Sequence, residues 1–81
     1  MRFVEVEWLD SVSEGRWQPR EDVGREATRE AMLHRSVGYL VSDTEDFVLL
    51  AGSRKEDGSW VADTMQIPKV AVLATHDLRK R

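Results

Sequence analysis

The chain has 81 residues, no cysteine and a formal net charge of -3. That length holds one domain near the lower limit at which a single core suffices, and the lack of thiols excludes disulfide staples and thiolate metal sites. Net acidity excludes general coating of a polyanion, so any nucleic-acid contact has to come from a local basic patch.

A small domain without staples gains stability by self-association, which buries more apolar surface, so oligomerisation is expected on physical grounds alone. The opening run Met1-Arg2-Phe3-Val4-Glu5-Val6-Glu7 lacks the apolar stretch of a signal peptide, and no segment approaches membrane-spanning length. A soluble, cytoplasmic protein with no membrane partner is expected.

Residues 2 to 9 alternate. Val4, Val6 and Trp8 share one parity and are expected inward, with Glu5 and Glu7 in water. Residues 10 to 20 contain Ser11, Ser13, Gly15 and Pro19 and read as a loop, with Trp17 stranded within it. From Pro19 the composition turns to helix formers. The acids Glu21 and Asp22 suit a helix start, and Glu21 stands four residues ahead of Arg25, so a helix over Glu21 to Leu33 is predicted. Its stripe of Val23, Ala27 and Ala31 is narrow, and Gly24 weakens it by about 1 kcal/mol relative to Ala.

The stretch from Arg35 to Gly52 organises the rest. Two runs rich in Val, Leu and aromatic residues, Arg35 to Ser42 and Phe47 to Gly52, flank the polar Asp43-Thr44-Glu45-Asp46 and read as a hairpin. Both runs carry apolar residues on both parities, so both faces need cover: a curled barrel, a helix laid over the sheet, or another copy of the chain. After a charged turn from Ser53 to Ser59, residues 60 to 67 read as a fourth strand. In it Asp63 falls on the apolar parity and suggests a bulge or a strand end. Pro68 breaks that strand, and Val70 to Thr75 forms a short fifth. The polar tail 77–81 is expected to fray. The fold class is therefore mainly β with one helix (α+β): a single domain over 1–81, five short strands in a small, partly open barrel, the helix inserted between strands 1 and 2.

The order of these elements, with the strand Ser36-Val37-Gly38-Tyr39 and the turn Ile67-Pro68-Lys69, resembles a group of uncharacterised small phage or prophage proteins with an Sm-like, SH3-type barrel. The resemblance covers most of the chain through short apolar motifs. It implies a closed homo-oligomeric ring in which the fourth strand of one subunit pairs with the fifth of its neighbour. In many members of the wider family it also implies RNA binding through the loops between strands two and three and strands four and five. This chain departs from that pattern in having its helix after strand one, and in the acids Asp43, Glu45 and Asp46, which would repel phosphate in the first of those loops.

Catalysis is not expected. His34 and His76 are the only histidines, neither stands in a metal-ligand spacing, and no serine has a nucleophile-elbow context. Glu5 and Glu7 share a strand face and read as a solvated face rather than a catalytic pair; Asp43, Glu45 and Asp46 lack the calcium-loop pattern. Gly52 to Gly58 has no Gly-Lys-Ser/Thr and opens no helix, so it is not a P-loop. No metal and no cofactor is expected.

The residues with binding chemistry are cations and exposed aromatics. Arg35, Arg54, Lys55 and Lys69 suit a phosphate, Lys69 foremost because its turn corresponds to an Sm ligand loop; Trp17 and Trp60, each near cations, suit a nucleobase. The same tryptophans suit the barrel rim or a subunit interface better still, because a barrel this small needs large side chains to cover it. The reading that follows is a non-catalytic, phage-type Sm-like ring that binds an anionic, nucleotide-like ligand at subunit junctions, such as a host signalling nucleotide in the host cytosol. The alternatives are an RNA-binding ring and an assembly or protein-interaction module without a small ligand.

Overall fold

The computed structural model describes residues 1–78. Five strands, β1 (Phe3–Leu9), β2 (Leu33–Asp43), β3 (Phe47–Arg54), β4 (Val61–Pro68) and β5 (Val72–Asp77), form one antiparallel sheet in the order β4-β3-β2-β1-β5. The alternation of β1 buries Val4 and Val6 fully, as expected, while Glu5 and Glu7, expected in water, lie on the other face but are half-buried. Trp8 packs against the core and satisfies its indole by donating Nε1–H to Ser36 Oγ at 3.0 Å.

Val4 and Val6 on β1 share one cluster with Val48 and Leu50 on β3 and Ile67 on β4. Because β2 and β3 separate β1 from β4 in the sheet, those side chains meet only if the sheet curls around them. The curl is incomplete. No ladder joins β4 to β5 among the described residues, so the sheet is open, with β4 and β5 as its edges. Ile67 is the single buried residue of β4.

The long helix expected over Glu21 to Leu33 is replaced by two short pieces, a 3-10 turn at Arg20–Asp22 and one turn of helix, α1 (Arg29–Met32). Gly24 takes a φ of 90°, and Thr28 is extended and caps α1 by accepting from the Ala31 amide at 3.1 Å. A positive-φ glycine and an extended capping threonine interrupt any continuous run of helix. Neither piece buries a residue, so neither covers the sheet. β2 instead begins at Leu33, because it pairs with β1 as far as Leu9.

Two smaller differences concern the last strands. The register between β3 and β4 runs past Asp63 without a shift, and Asp63 takes a φ of 57°, the left-handed conformation that aspartate tolerates better than most residues. Val70 lies in a 3-10 turn, Lys69–Ala71, so β5 starts at Val72. Asp77, expected at the start of a frayed tail, closes β5, and the Leu78 amide donates to the Phe3 carbonyl at 2.8 Å; the remainder of that expected tail, 79–81, lies outside the described residues. Among the described residues no helix is long and apolar enough to cross a membrane.

Candidate ligand site

The register of the sheet sorts the expected binding residues into three places. Arg54 ends β3 opposite Val61, and the Lys55 amide donates to the Trp60 carbonyl at 2.8 Å across the following turn. Arg54, Lys55 and Trp60 therefore share one end of the β3–β4 hairpin. Lys69 follows Pro68, which pairs with Phe47 at the start of β3. The eight residues of β3 put Lys69 roughly 20–25 Å from Arg54. Arg35 lies on the outer face of β2, opposite Glu7. Trp17 stands apart from all of these, fully exposed at 102% in the segment between β1 and α1.

The side chains of three of the four cations already have partners, and these decide what each has left to offer. Lys69 Nζ is ion-paired with Asp43 and its amide donates to the Asp46 carbonyl at 2.9 Å, so the β4–β5 turn is clasped to the acidic β2–β3 hairpin. A phosphate there would meet a neutralised lysine beside carboxylates. Arg35 is held by Glu7 at 3.1 Å. Arg54 donates Nη1–H to the carbonyls of Glu56 at 2.6 Å and Lys55 at 3.2 Å, and its guanidinium lies over the Tyr39 ring, 5.2 Å from the centroid. Those bonds use one of its nitrogens and leave further N–H donors for an anion. Lys55 has no ion pair among the described residues.

The turn beyond Arg54 is a defined structure. Gly58 takes a φ of 78° and its amide donates to the Lys55 carbonyl at 2.9 Å. The Asp57 carboxylate accepts from the Ser59 amide at 3.0 Å and the Ser59 hydroxyl at 2.7 Å. These bonds, the amide's first, hold the Asp57 carboxyl below its ordinary range, so it stays ionised. Trp60 leaves this turn 73% exposed.

Below the turn a shallow cleft of about 460 Å³ is lined by Arg2, Phe3, Tyr39, Arg54 and Asp77, among others. The Phe3 and Tyr39 rings are 5.1 Å apart and tilted by 52°, so one edge of the cleft is an aromatic pair under a guanidinium. Arg2 donates Nε–H to Asp77 at 2.8 Å; that bond holds the Asp77 carboxyl low and raises the Arg2 guanidinium. Phe3, Tyr39 and Arg2 were absent from the expected set. Phe3 and Tyr39 sit directly opposite each other in the β1–β2 register, and a pairing across 36 residues leaves no mark in local sequence.

Comparison with protein-family models, with curated proteins and with solved structures finds no significant match.

Proposed function

We propose that this chain is a non-catalytic, self-assembling β module of the Sm-like kind. It binds an anionic, nucleotide-like ligand at the end of the β3–β4 hairpin, where neighbouring subunits would meet. The observation that carries the reading is that exposed Trp60, Lys55 and the Arg54–Tyr39 stack all belong to one end of the sheet, at the end of edge strand β4. An aromatic face takes a base and adjacent cations take a phosphate.

The Sm-like assignment is supported by the strand order and by the 3-10 turn that carries the chain from β4 to β5 at the opposite edge. Assembly is supported by the two open edges. β4 and β5 each leave a row of backbone donors and acceptors for another strand, and pairing β4 of one copy with β5 of the next is a head-to-tail contact that closes a ring if the rotation fits. The phage setting and the capture of a host signalling nucleotide rest on the sequence resemblance alone. An RNA-binding ring is disfavoured by the acidic hairpin that engages Lys69.

Native mass spectrometry of protein purified gently from cells, followed by denaturation, tests the proposal. A closed oligomer releasing a nucleobase-absorbing passenger in integral ratio to subunits is expected. Trp60→Ala and Lys55→Glu are expected to lose the passenger and keep the oligomer. A clean oligomer with no passenger and no response to added nucleotides would move the reading to a protein-interaction module, which the fully exposed Trp17 favours.

A further inference from the structure

The outer face of the β1–β5 pair brings together three side chains that no sequence spacing connects. Glu5 and His76 are directly opposite in the register, and Glu7 sits diagonally across from His76 with the small Ala74 opposite it. Each of Glu5, Glu7 and His76 offers a ligand atom, and these atoms all lie within 4.8 Å of one another. It is the one such group of histidine and carboxylate ligands among the described residues.

The geometry of Glu7 gives the cluster its meaning. Arg35 holds Glu7 Oε1 at 3.1 Å, which fixes the carboxylate and turns Oε2 toward His76 Nε2 at 3.5 Å. A charge-assisted hydrogen bond between those atoms would draw them to about 2.7–2.9 Å. Two ligands of a tetrahedral ion at about 2.0–2.1 Å lie ~3.4 Å apart. The observed Glu7–His76 separation exceeds such a hydrogen bond and is close to that ligand spacing, with the Glu5 ligand atom within 4.8 Å of both. Glu7 is also well shielded, its side chain 24% exposed, and Glu5 has no ion pair among the described residues.

We propose that Glu5, Glu7 and His76 form a binding site for a borderline divalent transition-metal ion, Zn²⁺ in the first instance, with water in the fourth position. One imidazole nitrogen and two carboxylate oxygens suit such an ion, whereas magnesium and calcium take oxygen ligands. Arg35 acts as the positioning residue, in the way outer-sphere partners orient metal-bound carboxylates. Because the ligands come from β1 and from edge strand β5, the ion clips β5 to the sheet and stabilises the chain in place of a staple. The site is independent of the hairpin end proposed above, so either can fail alone.

The test is a Zn²⁺ titration of untagged full-length protein stripped with a chelator, followed by calorimetry and by the His76 imidazole NMR signals. One ion per chain is expected, with His76 signals shifted, a raised unfolding midpoint and slowed amide exchange in β5. His76→Ala, Glu5→Gln and Glu7→Gln are each expected to weaken binding at least about tenfold, while His34→Ala leaves it unchanged. Circular dichroism establishes that each variant is folded. Zn²⁺ binding that survives His76→Ala, the absence of binding at submillimolar Zn²⁺, or equal competition by Mg²⁺ would each overturn the proposal.

Discussion

Gly38 on β2 lies tightly against β3. A Cβ built there would lie 2.9 Å from the Ala51 carbonyl oxygen and 3.3 Å from Leu50 Cβ. The first contact is with backbone, which cannot swing aside, so any side chain forces the two strands apart. Gly38→Ala is expected to cost about 1–3 kcal/mol, the range for overpacking, read as a lower urea midpoint with an unchanged slope. Asp77 gives a residue-scale prediction in pH. Its folded pKa is depressed, chiefly by the hydrogen bond from Arg2. Its contribution to stability is therefore complete above the unfolded value of about 3.9 and is lost as pH falls through the folded value. Urea midpoints of the native chain and Asp77→Asn should differ by a constant amount from pH 5 to 8 and converge below about pH 4. A gap that widens on acidification would contradict this assignment.

Among the elements, edge strand β4 is anchored by one buried side chain, Ile67. Ile67→Ala is expected to cost about 2–5 kcal/mol and to release β4 before the rest of the sheet. Hydrogen exchange reads this as early loss of protection in Val61–Pro68 while β1 and β2 stay protected. The strands were legible because their cause is local: Val4, Val6 and Trp8 alternate, the acids of residues 43–46 interrupt two apolar runs, and Pro68 ends a ladder. The helix was misjudged because helix formers between Glu21 and Leu33 offer no wide apolar stripe to bury, so Gly24 and Thr28 decide the backbone. At the candidate site, the sequence named Arg54, Lys55 and Trp60, which share a hairpin and are close in the chain. Lys69 stands apart from them within one chain because the length of β3 lies between them. The Glu5–Glu7–His76 cluster was hidden for the converse reason, since contact between residues about seventy positions apart exists only once β5 returns beside β1.

The whole molecule has a small core and much exposed apolar surface. Its buried apolar residues are Val4, Val6, Val48, Leu50, Ala51 and Ile67, whereas Val37, Val61, Met65 and Leu73 on the strands remain exposed. A single core in a chain of this size supplies only a few kcal/mol, so a second source of burial has a large effect on the folded fraction. The two open edges carry part of that surface: Val61 and Met65 lie on β4 and Leu73 on β5. Joining β4 of one copy to β5 of the next would cover part of that surface and satisfy both rows of backbone groups. Association that favours the native state couples stability to concentration by mass action. The thermal midpoint is therefore expected to rise as protein concentration is raised from micromolar to hundreds of micromolar. Met65→Lys, which puts a charge on the exposed β4 edge opposite core residue Leu50, should flatten that dependence and shift sedimentation toward the monomer while circular dichroism still reports the folded sheet. A native chain that sediments as a monomer at micromolar concentration, with a midpoint independent of concentration, would remove the edge-to-edge assembly and with it any site at a subunit junction. The metal clip between β1 and β5 would then be the stabilising device left to the isolated chain.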